Sequence, residues 1–173
     1  MKLTWFGNGS FRVHAGGRIV VVAPGAAPEG VSRAELVSGA DLVVEEGAAI
    51  SEADGRSWKA QPAGRLLDAE AEPGPAQVFS LGAGALLIAA EGERPLLVLE
   101  GQAPALGRWV ERAVVVIAGD GLAARAAAVV ERGPRLLALA GAEAEVDAAF
   151  AALRGTLDGT GLVALERGMA VEV

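Results

Sequence analysis

The chain of 173 residues has no cysteine, no tyrosine and a single histidine, His14. Without cysteine there is no disulfide, no thiolate metal site and no cysteine nucleophile. With only four Phe and three Trp, the core must be built from Ala, Val and Leu. A Ser-His-Asp triad would have to use His14 with Ser10, Ser51 or Ser80, and none of these serines sits in a G-x-S-x-G elbow. His14 itself reads as a surface or interstrand residue. No apolar run reaches the roughly 18 residues of a membrane span, and no basic stretch leads into an apolar core at the start, as a secretory leader requires. A cytoplasmic location is the resulting expectation.

What is present fits one folded domain over residues 1–173. Apolar residues make up 52% of the chain, which is enough for a buried core and too much for a disordered polymer. The net charge is −7, which argues against non-specific nucleic-acid binding and against an anionic membrane surface.

The opening stretch, residues 1–24, organises the rest. Leu3, Trp5, Phe11 and Val13 alternate with polar neighbours, as in two half-buried strands. Gly7, Asn8 and Gly9 supply a turn, Gly16 and Gly17 a second one, and the β-branched run 19–22 a third, buried strand. Ser32 with Glu35 has the spacing of a capping box and predicts a short helix closed by Gly39. Strands are expected at 41–44, 65–67, 77–81, 83–90 and 95–100, with a loop over 69–75 and a turn at 82–84. A loop and short helix follow over 102–112. A strand–helix–strand unit is expected over 113–140, with Asp120 as the helix N-cap. A last helix over 143–154 would bury Val146, Ala149, Phe150 and Leu153. A closing hairpin is expected from 162–165 and 169–173.

The string K-L-T-W-F-G-N-G-S-F-R-V-H-A-G-G resembles the start of the metallo-β-lactamase fold. The likeness is to the short branch of predicted Zn-dependent hydrolases related to the ascorbate-6-phosphate lactonases. Members often open K-[IL]-T-W-[LF]-G-H-[SA]-[CS]-F-[RL]-[IVL]-x-x-G-G, and the next strand ends in D-P. The resemblance implies an α+β fold, a small version of the four-layer αββα metallo-β-lactamase-like sandwich. It also locates the departures. The family His is Asn8, and the family Asp before Pro24 is Ala23.

Three further segments keep the apolar frame of the family and lose its polar tips. The family runs a strand like A-D-L-V-L-V-T-H into H-x-H-x-D-H. Here A-D-L-V-V-E-E-G-A-A-I-S-E-A-D-G puts Gly47, Ala49, Ser51 and Glu52 at the ligand positions. The family hairpin ending H-x-G-D corresponds to Leu97-Val98-Leu99-Glu100-Gly101, with Gly101 at the metal-bridging Asp and Glu100 expected on the opposite strand face. The family P-x-H strand corresponds to 134–141, with Gly141 at the His. The two-zinc site that the resemblance implies needs about four or five histidines, and this chain has one.

The expectation is therefore a non-catalytic metallo-β-lactamase-fold protein, without metal or other cofactor and without catalytic residues, serving as a binding or assembly subunit. Inactive members of the superfamily pair with active relatives, so the resemblance implies a second copy or an active paralogue as partner. Two alternatives stay open. One is a hydrolase of lactones or phosphoesters with atypical ligands; its residual carboxylates would be Glu52 and Asp54 in the acidic stretch with Glu45 and Glu46. The other is a small-molecule binding module in the emptied cleft, lined by Asn8, Ala49 and Gly141. A paired-carboxylate hydrolase using Glu45, Glu46, Glu52 or Asp120 has no positive support in the sequence.

Overall fold

The computed structural model describes residues 1–60, 74–82 and 84–173. The strand expected at 65–67, most of the loop at 69–75, and Ala83 lie outside the described residues.

The opening meander forms as its alternation dictates. Strands β1 (Lys2–Gly7), β2 (Ser10–Ala15) and β3 (Arg18–Val22) pair antiparallel, with Leu3 opposite Val13 and Phe11 opposite Val22. Asn8 takes a positive φ of 47° in the first turn, a conformation Asn tolerates better than most residues. Helix α1 (Arg33–Val37) is capped by Ser32, whose hydroxyl accepts from the Glu35 N–H. Strand β4 (Leu42–Val44) then runs parallel to β3.

The remaining strands build a second sheet. Strands β5 (Ser51–Glu52), β6 (Gln77–Ser80), β7 (Ala85–Ala89) and β8 (Leu96–Leu99) precede a 3-10 turn at Arg108–Arg112. Strand β9 (Val114–Ala118), helix α2 (Leu122–Val130), strand β10 (Leu136–Ala140), helix α3 (Glu143–Leu153), strand β11 (Gly161–Ala164) and strand β12 (Ala170–Glu172) complete the chain. Among the described residues there are two mixed sheets, ordered β12-β1-β2-β3-β4 and β11-β10-β9-β8-β7-β6-β5. The fold is mixed α and β, with few helices.

The continuous apolar runs of β8, β9 and β10 follow from burial on both faces. Val98, Val114, Val116 and Ala138 pack against Leu3, Phe11 and Val13 of the five-stranded sheet. Leu97, Val115, Ile117 and Leu139, on the other face, pack against Leu122, Ala126 and Val129 of α2 and Ala149 and Leu153 of α3. Each such Val or Leu contributes about 1.5–3 kcal/mol when fully buried. Many small side chains thus stand in for the missing aromatics.

Three expectations are corrected. Strands β11 and β12 do not form a hairpin: β11 joins β10 in one sheet and β12 joins β1 in the other. The turn between them crosses the sandwich, with the Leu165 N–H donating to Leu139 O and the Gly168 N–H to Trp5 O. Asp120 is not the cap of α2. Gly121 occupies that position with φ 66° and no side-chain cap, and Glu145 of α3 accepts from the Leu122 N–H at 3.1 Å instead. Phe150 is 38% exposed and does not join the core.

Candidate functional site

The strands β8, β9 and β10 run parallel, as do β3 and β4. Their carboxyl ends open on one edge of the sandwich, where the side chains that follow each strand are free of the ladder. Two clefts lie there. The larger, about 430 Å³, is lined by Ala23 after β3, Glu45, Glu46 and Gly47 after β4, Glu52 on β5 and Glu100 after β8. The smaller, about 310 Å³, is lined by Asn8, Gly119, Asp120, Gly141 and Arg167.

Of the seven sequence-predicted positions, four line one or the other of the two clefts. Gly47 and Glu52 line the larger cleft; Asn8 and Gly141 line the smaller one. Ala49, Ser51 and Gly101 line neither. Ala49 and Ser51 are exposed, Ser51 on the edge strand β5. Asn8 is occupied in holding its turn: its Nδ2 donates to Ala26 O at 2.7 Å, and its own carbonyl accepts from Trp5 Nε1 at 2.9 Å. Asp54 caps the turn that follows β5. Its carboxylate accepts from the Ser57 hydroxyl at 2.7 Å and from the Arg56 N–H at 3.1 Å, and these bonds, Ser57 first, hold its pKa below the usual carboxylate value. Glu45 is ion-paired with Arg33.

His14 lines neither cleft. It is half-buried on β2, where its Nε2 accepts from Arg12 Nε at 3.3 Å. Burial, then the charges of Arg12 and Lys2, lower its pKa.

The residue that sequence reasoning set aside is Glu100. Alternation along β8 holds, but the face was misjudged. Glu100 lines the cleft together with Val98, and Gly101 does not. Residue 100 is exposed as a whole, yet its carboxylate lies against Gly9. Burial, and secondly the charge of Glu46, push its pKa up, while Arg125 pulls the other way.

Arg125 on α2 is the second residue missed. Its guanidinium donates to four carbonyl oxygens at the carboxyl ends of two strands: Leu99 at 2.7 Å, Ala118 at 2.8 Å, Gly101 at 3.1 Å and Asp120 at 3.1 Å. Burial lowers its pKa, but a guanidinium stays charged at any physiological pH. A lone Arg in the otherwise apolar helix L-A-A-R-A-A-A-V-V was the available signal.

A zinc pair does not fit these residues. Among the described residues no three His, Cys, Asp or Glu side chains are grouped to hold an ion. At Gly141 a ligand side chain would have to displace the end of Leu122. A Cβ there would lie 2.8 Å from Leu122 Cδ1 and 3.0 Å from Gly119 O. Compared with models of known protein families, with curated proteins and with solved structures, the chain matches none.

Proposed function

We propose that the chain is a metallo-β-lactamase-type sandwich whose metal site is gone, acting as a non-catalytic binding or assembly subunit with a second copy or an active paralogue. The supporting observation is the packing at Gly141. Leu122 and the Gly119 carbonyl crowd the place where a histidine side chain would begin. Loss of the other ligands belongs with this. Imidazoles and carboxylates left at a buried site without their ion would be unpaired polar groups, each costing about 1–3 kcal/mol. Gly and Ala avoid that cost. The stacked sheets, with α2 and α3 on the outer face of the larger one, agree with the αββα arrangement, in which α1 would be a reduced fourth layer.

Of the alternatives, a hydrolase using Glu52 and Asp54 has little support, since Asp54 is spent on its own turn. A small-molecule module lined by Asn8, Ala49 and Gly141 finds two of the three, Asn8 and Gly141, in the smaller cleft of about 310 Å³, within the usual size range of ligand pockets.

Elemental analysis of folded protein, followed by zinc and manganese add-back during thermal melting, tests the proposal. The expected result is no stoichiometric metal and an unchanged melting temperature. A bound ion with a stabilising shift would overturn it, because a ligand that binds only the native state raises its stability.

A further inference from the structure

A different groove lies at the opposite edge of the seven-stranded sheet, where β8 and β9 begin. It is an open groove of about 1000 Å³ between the loop at 56–60, the turn at 92–95 and the 3-10 turn Arg108–Arg112. Five cations line it: Arg56, Lys59, Arg94, Arg108 and Arg112. The whole chain has 15 Lys and Arg and a net charge of −7, so a third of its positive charge is gathered in one place. Arg108 is paired with Glu111 at 3.1 Å. Among the described residues no carboxylate forms a salt bridge with the other four, though Asp54 feels the charge of Arg56 at longer range. Glu93, also in the lining, is turned to the Met1 ammonium at 3.5 Å.

Two tryptophans share this groove. Trp58 and Trp109 are half-buried and meet edge to face, with ring centres 5.0 Å apart and planes at 70°. The support beneath them is rigid. Trp109 Nε1 donates to Gly55 O at 2.6 Å, the Gly107 N–H donates to the same oxygen at 2.9 Å, and the Trp58 N–H donates to Asp54 O at 3.0 Å. The Arg56 carbonyl fills the place of a Cβ on Gly107. The loops that carry the rings are thus locked to each other.

We infer that this groove binds a nucleotide, free or as part of a single strand, with guanidinium groups on phosphate and a base on a tryptophan ring. Unpaired guanidinium groups suit phosphate, which they engage bidentately. Half-exposed indoles suit the stacking of a base. An acidic peptide would use the cations and leave the rings without a purpose. The net negative charge opposes polyanions over most of the surface, so recognition belongs to the groove and not to the overall field.

The test is titration of the full chain with a labelled single-stranded oligothymidylate of about eight nucleotides, and separately with ADP, reading anisotropy and tryptophan quenching. Saturable binding with quenching is expected. The Arg94→Glu/Arg112→Glu protein should bind about tenfold more weakly or worse, with log affinity falling against log salt by about 0.7 for each phosphate contacted. Both arginines are exposed, so melting should be unchanged; Arg94→Gln/Arg112→Gln is the milder second variant. Trp58→Leu should weaken binding about tenfold. Equal affinity for ADP and oligonucleotide marks a free-nucleotide site, and affinity rising with length marks a strand site. No binding of either probe, undiminished binding by the charge-reversed protein, or equal displacement by polyglutamate would each overturn the inference.

Discussion

The carboxylate of Glu100 occupies the place that a Cβ on Gly9 would take. The turn after β1 and the end of β8 are thus in contact, and the contact depends on residue 9 having no side chain.

That relation sets up a comparison between two glycines. At Gly9 the obstacle is the far end of a flexible Glu; at Gly107 it is the backbone carbonyl of Arg56. Gly9→Ala should cost below about 1 kcal/mol, since the Glu swings aside. Gly107→Ala should cost about 2–3 kcal/mol, since backbone must move. Urea unfolding of both variants checks this, and equal losses would contradict it.

Glu100 predicts a pH dependence. Its carboxyl is raised above its ordinary value of 4.5 by burial and by Glu46, so the native state holds the proton more tightly than the unfolded chain. This group therefore adds stability at low pH that is lost as pH climbs through the raised value. Glu100→Gln should raise the melting temperature at pH 7 relative to the parent and lose that advantage below pH 4.5. The gain is small because solvent screens a largely exposed residue. Melting curves across this range, with Glu46→Gln moving the parent's transition downward, decide the point.

Arg125→Met should destabilise by about 3 kcal/mol, because it strips a charged donor from carbonyls at the ends of β8 and β9. Arg125→Lys should recover only part of the loss, since an ammonium cannot span four acceptors held in a fork. Full recovery by Lys, measured by chemical denaturation, would refute this account.

Ser10 is 0% exposed, and among the described residues its hydroxyl has no hydrogen-bond partner. Ser10→Ala should be neutral or stabilising by up to about 1 kcal/mol, as a buried hydroxyl without a partner opposes folding. A loss of stability would show that the hydroxyl is satisfied.

Much of the fold was legible because its signals are local. The alternation of Leu3, Trp5, Phe11 and Val13 gave the meander, and Ser32 with Glu35 gave a capped helix within two residues of its expected ends. Errors arose where distant segments decide. Nothing in 161–173 says that two adjacent strands belong to different sheets. The Asp120 pattern was locally sound, but Glu145, 23 residues away from Leu122, took the role. The site was less legible still. Alternation relates Glu100 to Val98 but cannot tell which face of a strand buried on both sides looks into a cleft.

The crossing from β11 to β12 has a further consequence, one of timing. The outer partner of β1 is β12, so a nascent chain carries the meander with that edge unpaired until residues 16–169 have been made. At about 5–20 residues per second, that interval is roughly ten to thirty seconds. Throughout it, β1 offers free backbone groups beside Leu3 and Trp5 to any passing strand, which makes this edge vulnerable to misassembly during synthesis.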